Sequence, residues 1–267
     1  MVTAEVRRAD APVGPQALLN FIADVQREAS RVPFRLTRLS DAEEIRVGDN
    51  LAQEATGELG NGQGEVAAYI QEVGAKVAAR AGRKLPYRFH YIPRGEFVNA
   101  FAIPGGHIFV GQGLLKQMTS EDQLASVLGH EIEHVDLYHC AERLQVEAHT
   151  RNIPLGGLVQ LPIELFRAGY SKTQEFEADR EGTWLAVRAG YSPYGAVRMF
   201  EKFEELRRTQ IERAGTPQKE LSNVALEILR GYFRSHPLPA ERIEQIRKLI
   251  AQQGWEKQTT EKPLKTK

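Results

Sequence analysis

The sequence predicts an α+β fold, mainly helical, with one small central sheet. Three observations point there. Apolar residues recur at helical spacing between recognisable caps over most of the chain. A single stretch, residues 87–110, switches to aromatic and β-branched residues. No linker rich in proline, glycine or serine divides the 267 residues, so one main domain is expected.

A first helix is expected over residues 16–30 and a second over 41–58, where Ser40 and Glu43 make a capping box. A third, 65–81, is closed by Gly82, and Gly60, Asn61, Gly62 and Gly64 form the loop before it. Residues 87–92, 97–103 and 107–110 read as strands, the last two joined by Pro104-Gly105-Gly106, in a sheet with an exposed edge. Helix resumes over 120–149, 173–189 (closed by Gly190), 193–214, 219–233 and 239–252, and the polar residues 258–267 are expected to fray. The expected division is an N-terminal helical extension (1–38), a main domain (39–254) and a polar tail (255–267).

Lysine plus arginine (35) equals aspartate plus glutamate (35), so the charge excess that nucleic-acid binding draws on is missing and no nucleic-acid partner is expected. The lone Cys140 forms no internal disulfide and reads as a buried structural thiol. Residues 1–15 carry no apolar core of the kind an export signal needs. The most apolar stretches, 101–115 and 153–165, are too short to span a bilayer. The second is read as core, with a membrane-touching loop, hence peripheral membrane association, as the alternative.

The chemistry is concentrated in His130-Glu131-Ile132-Glu133-His134. Four residues advance a helix by about 400°, so both imidazoles project from nearly the same side and can share one cation. The pattern is expected by chance roughly 0.02 times in a chain of this composition. Leu124, Val127, Leu128 and Val135 on the neighbouring stripe would bury the helix. The bland reading is two partly exposed histidines on a charged face. A catalytic zinc takes three protein ligands and leaves the fourth position to water. Cys140 is ten residues from His130, about 15 Å along a helix, so the third ligand is sought elsewhere.

Helix 173–189 offers it. Glu175 and Asp179 are four apart, and Gly182 and Ala186 continue their stripe with small residues that let this helix pack closely on the first. Glu175 is then the candidate ligand, and Asp179 accepts a hydrogen bond from the outer nitrogen of a ligand histidine. Glu177 and Glu181 sit on other faces. An acidic first turn favoured by the helix dipole explains the acid but not the small residues. His90, His107, His139 and His149 are read as surface or packing residues.

At these residues the chain resembles the gluzincin zinc metallopeptidases of the HtpX and CAAX-prenyl-protease type, peptidase family M48, and in particular their soluble BepA-like and LoiP-like branch. The resemblance runs over most of 41–252 and rests on four pieces. They are Asn99-Ala100-Phe101-Ala102 continuing through Pro104-Gly105-Gly106 to Gly113-Leu114-Leu115, the His130 to His134 motif, Glu175-Phe176-Glu177-Ala178-Asp179, and Ser235-His236-Pro237 with Arg242-Ile243. It implies a zincin-like metallopeptidase domain over 39–254 with one zinc ion per chain. His130, His134 and Glu175 are the implied ligands, Glu131 the general base and Asp179 an outer partner. Asn99, Ala100, Phe101 and Ala102 are the implied edge for an extended peptide. His236 would steady the oxyanion or cap the resting metal, and Arg242 would orient the neighbouring carboxylates. Where the family commonly has Arg, this chain has Lys172, which makes no bidentate fork.

The implied function is a metalloendopeptidase acting on unfolded or misfolded proteins, with Glu131 taking a proton from the zinc-bound water. The resemblance places it in the periplasm or cell envelope, with the cytoplasm as the alternative. The rival is a chaperone or adaptor that holds clients in the same groove beside a capped or structural zinc.

Overall fold

The computed structural model describes residues 39–150, 163–167, 169–213 and 239–265. The helices expected over 16–30 and 219–233, the 1–38 extension, His236 and most of 153–165 lie outside these residues. In chain order the elements are α1 (Asp41–Leu59), α2 (Glu65–Ala78), β1 (Arg88–Ile92), β2 (Ala100–Ile103), β3 (His107–Gly111), α3 (Gln112–Leu115), α4 (Glu121–Asp136), α5 (His139–Thr150), α6 (Glu164–Arg167), α7 (Lys172–Arg188), α8 (Tyr194–Arg213) and α9 (Pro239–Gln252).

The fold is α+β and mainly helical, and its helix starts follow local chemistry. Ser40 and Glu43 cap α1 reciprocally, and Val47, Leu51, Ala55 and Leu59 are buried along one face, four residues apart. Helix α2 ends at Ala78, short of the expected 81. The chain turns there because the amides of Gly82 and Arg83 donate to the Asp136 carboxylate at 2.9 and 2.6 Å.

The sheet has the order β1-β3-β2, with β1 parallel and β2 antiparallel to the central β3. Gly105 and Gly106 take φ of 81° and 94°, which only glycine adopts cheaply, and this turn lays β2 back on β3. Phe109 on β3 is stacked between the rings of Phe101 and His90, with centroids 4.8 and 4.5 Å away. Burying one such ring contributes about 1.5–3 kcal/mol. The second strand begins at Ala100 rather than residue 97, because the Phe97 amide closes a turn onto the Arg94 carbonyl (3.1 Å).

Among the described residues, the expected exposed edge is not found at β2. β2 is an edge strand by order, yet Asn99 and all four of its residues are buried. Helix α6 packs against it, and the Arg167 guanidinium lies 5.2 Å over the Phe97 ring. At the opposite edge, the Gly62 amide donates to the Tyr91 carbonyl (2.7 Å) and the Phe89 amide to Gln71 Oε1 (3.1 Å).

Helix α4 runs through the middle, packed by α2, α7, α8 and the sheet, and is buried nearly all round. Its polar residues therefore need partners. Glu121 accepts from the Tyr69 and Tyr191 hydroxyls (2.9 and 3.0 Å), and Asp122 from the Ser192 and Lys262 amides (both 2.6 Å). The last of these corrects the expectation of a fraying tail. Through residue 265 the tail is tied to the start of α4, where the Lys262 carbonyl accepts from the Glu121 amide at 2.9 Å.

The expected single helix 120–149 is two. It stops at Asp136, and Tyr138 takes the left-handed φ of 65° before α5 begins. Tertiary contacts hold the break: Arg83 donates to the Val135 carbonyl (2.9 Å), and its guanidinium lies 3.9 Å over the Tyr138 ring.

Candidate metal centre

The site is made where α4 and α7 touch. Gly129 and Gly182 face each other there; a Cβ on Gly129 would lie 2.6 Å from the Gly182 carbonyl oxygen, and one on Gly182 would lie 2.6 Å from the His130 nitrogen. Two backbones this close leave no room for any side chain. The small-residue stripe read from Gly182 and Ala186 thus has its counterpart in Gly129. The signal for Gly129 was its place inside a helix, where glycine costs about 1 kcal/mol relative to alanine.

This approach brings together the three expected donors. His130 Nε2 and His134 Nε2 are 3.0 Å apart, and the two Glu175 oxygens stand 3.5 and 3.6 Å from them. Ligands about 2.0–2.1 Å from a tetrahedral zinc stand about 3.3 Å from one another, so this spacing fits one such ion. All three side chains are buried, and theirs is the one cluster of this kind among the described residues. Two imidazoles and a carboxylate are also the donor types a catalytic zinc takes.

Around this cluster lies a second layer of charge. Asp179 Oδ1 is 2.9 Å from His130 Nδ1, and Arg242 grips the same carboxylate from Nε and Nη2, both at 2.6 Å. Arg242 also lies 3.6 Å from Glu175 and 4.2 Å over the Phe200 ring. Burial pushes Asp179 up, but Arg242 and His130 outweigh it and hold the carboxyl below its ordinary range. Burial likewise opposes charge on His130, yet Asp179 and Glu175 lift the imidazole to about 9. The pocket thus attracts a positive charge at His130.

Glu131 is buried beside His130 and lines a cavity with Val127, Ala196, Met199 and Phe200. Lys172, the departure from the family pattern, pairs with Glu241 and lies 5.5 Å over the Phe176 ring. Cys140 is buried with its sulfur 3.1 Å from the Tyr170 hydroxyl, and burial pushes the thiol well up, as a structural role requires.

A family model, Peptidase family M48, matches residues 65–250. The chain belongs to peptidase family M48. Among its M48 relatives, the beta-barrel assembly-enhancing protease of Escherichia coli is 30% identical over 202 residues, which cover 67% of this chain and 38% of that protein. The mitochondrial metalloendopeptidase OMA1 of Schizosaccharomyces pombe is 33% identical over 152 residues, 51% of this chain and 43% of that one. The OMA1 of Arabidopsis thaliana is 37% identical over 119 residues, 41% and 24% respectively. The chain therefore spans less than half the length of these M48 relatives. No helix among its described residues is long and apolar enough to cross a membrane.

Two further residues escaped the sequence reading. His139, taken as a surface or packing residue, is buried with Nδ1 3.0 Å from His134 Nδ1, and Glu177, placed on another face, lies 3.3 Å from His139 Nε2.

Proposed function

We propose that this chain is a zinc-dependent metalloendopeptidase that hydrolyses peptide bonds of unfolded or misfolded proteins. The observation that carries the reading is the convergence of three buried donors, from two helices, at the spacing one tetrahedral ion needs, in a chain of a metallopeptidase family. His130, His134 and Glu175 hold the ion. When bound, zinc supplies Lewis acidity, polarising the scissile carbonyl and bringing the pKa of a coordinated water to near 7.

The protein supplies the rest. Glu131, next to one ligand on the same helix, takes the proton of the attacking water and hands it to the leaving amine. Asp179 accepts a hydrogen bond from His130 Nδ1–H, which leaves the Nε2 lone pair facing the ion, and Arg242 keeps Asp179 ionised. His236, on the family resemblance, is a second donor to the developing oxyanion.

The substrate lies extended along Asn99, Ala100, Phe101 and Ala102, bonded main chain to main chain, a mode that reads little side-chain identity and selects locally unfolded clients. The place of action is the periplasm or cell envelope, supported by the similarity to beta-barrel assembly-enhancing proteases.

Casein cleavage by the wild type and by Glu131→Gln tests the reading. The variant should keep its zinc and lose hydrolysis, and a stably folded domain should resist the wild type. A Glu131→Gln protein that cleaves casein at the wild-type rate would refute the assignment.

A further inference from the structure

The break between α4 and α5 has a chemical consequence at the site. In an unbroken helix, residues five apart lie about 140° apart around the axis, so His139 would face away from His134. The left-handed Tyr138 swings it back instead. His139 Nδ1 then meets His134 Nδ1 at 3.0 Å, and its Nε2 meets Glu177 Oε2 on α7 at 3.3 Å. The Tyr170 ring stacks on His134 with centroids 3.9 Å apart and walls the pair in. Both imidazoles are buried, whereas the Glu177 side chain is 31% exposed.

The protons on this chain have a fixed order. The inference rests on the reading that His134 holds the ion through Nε2. A lone pair committed there leaves the proton on Nδ1, which donates to His139 Nδ1. That atom must then carry the lone pair, so the proton of His139 sits on Nε2 and donates to the Glu177 carboxylate. Two neutral imidazoles and one anion close the chain in a single direction.

We propose that His139 and Glu177 are positioning residues for the metal ligand His134: they fix its tautomer and ring orientation, as Asp179 and Arg242 do for His130. They act through His134, not on the substrate. The two ligand histidines are thus held differently, one directly by a carboxylate, the other through a relaying imidazole whose carboxylate is within reach of solvent.

The test is zinc affinity, by competition with a chromogenic chelator on the full chain, with the melting temperature of the metal-free protein measured alongside. Loss of such outer partners typically weakens a metal site about 10–100-fold. His139→Leu should fall in that range and lose part of the zinc-induced rise in melting temperature. His139→Asn, which returns an acceptor near the Nδ1 position, should recover part of the affinity, and Glu177→Ala should weaken it several-fold. A packing role alone would lower the metal-free melting temperature and leave the affinity unchanged. A folded His139→Leu protein with wild-type affinity overturns the proposal. If that variant does not fold, wild-type affinity in Glu177→Ala overturns it. A wild type that takes up no zinc would instead sink the metal-site reading, and this inference with it.

Discussion

Replacing Gly182 by alanine adds one methyl group where two helices meet backbone to backbone. The new Cβ would lie 2.6 Å from the His130 nitrogen and 2.7 Å from the Gly129 carbonyl carbon, and neither atom is a side-chain end that can swing away. Ordinary contact starts near 3.4 Å, so α4 and α7 must part by somewhat under 1 Å. Overpacking of this size costs about 1–3 kcal/mol. The same movement draws Glu175 away from His130 and His134, so zinc affinity should fall together with stability. Gly57→Ala is the control: Gly57 lies inside α1, exposed, with nothing within 4 Å of its would-be Cβ. Alanine there should stabilise by about 0.5–1 kcal/mol, since glycine is the poorer helix former. Urea titration and chelator competition on both variants measure the contrast. A Gly182→Ala protein as stable as the wild type and as tight for zinc would refute the claim that this contact builds the site.

Three further outcomes follow from the geometry. Arg242→Met leaves the buried Asp179 carboxylate without its fork and should cost about 3–5 kcal/mol in a urea titration at pH 7; a loss below about 1 kcal/mol would mean that the pair stabilises little. Deleting residues 258–267 removes the hydrogen bonds that the Glu121 amide donates to the Lys262 carbonyl, the Lys262 amide to Asp122, and Ser192 Oγ to the Gln258 carbonyl. At about 1 kcal/mol each, that should lower the melting temperature by roughly 6–12 °C, whereas a fraying tail would leave it unchanged. Burial, then His107 and Arg88, push His90 down from 6.5 to about 4. The folded state therefore binds fewer protons than the unfolded one, so this contribution is whole above about pH 6.5 and is lost on acidification towards pH 4. Its ceiling is about 3 kcal/mol, and His90→Phe should narrow the difference between urea midpoints at pH 7 and pH 4.5.

What could be read from sequence was what local chemistry decides. The Ser40–Glu43 box, the stop at Gly190 and the run of aromatic and β-branched residues each need only neighbours in the chain, and all appear. The positions of His130, His134, Glu175 and Asp179 were legible because helical spacing alone puts each pair on one side, and Gly182 announced the close approach. What escaped depends on distant partners. Nothing at Leu137 and Tyr138 marks a break; Arg83, more than fifty residues away in sequence, takes up the Val135 carbonyl and covers Tyr138. With the break unseen, His139 falls further along one long helix and reads as a surface or packing residue. The cover over β2 comes from a four-residue helix too short to show a period, and the tail is pinned by backbone bonds that composition does not reveal.

The central claim is that one divalent ion is gripped by His130, His134 and Glu175. X-ray absorption at the zinc edge, on the chain loaded with one equivalent, addresses it most directly. The expected spectrum has two imidazole nitrogens at about 2.0–2.1 Å with oxygen in the remaining positions, and loses one imidazole in His134→Asn. A first shell containing sulfur, or one unchanged by that substitution, would contradict the claim.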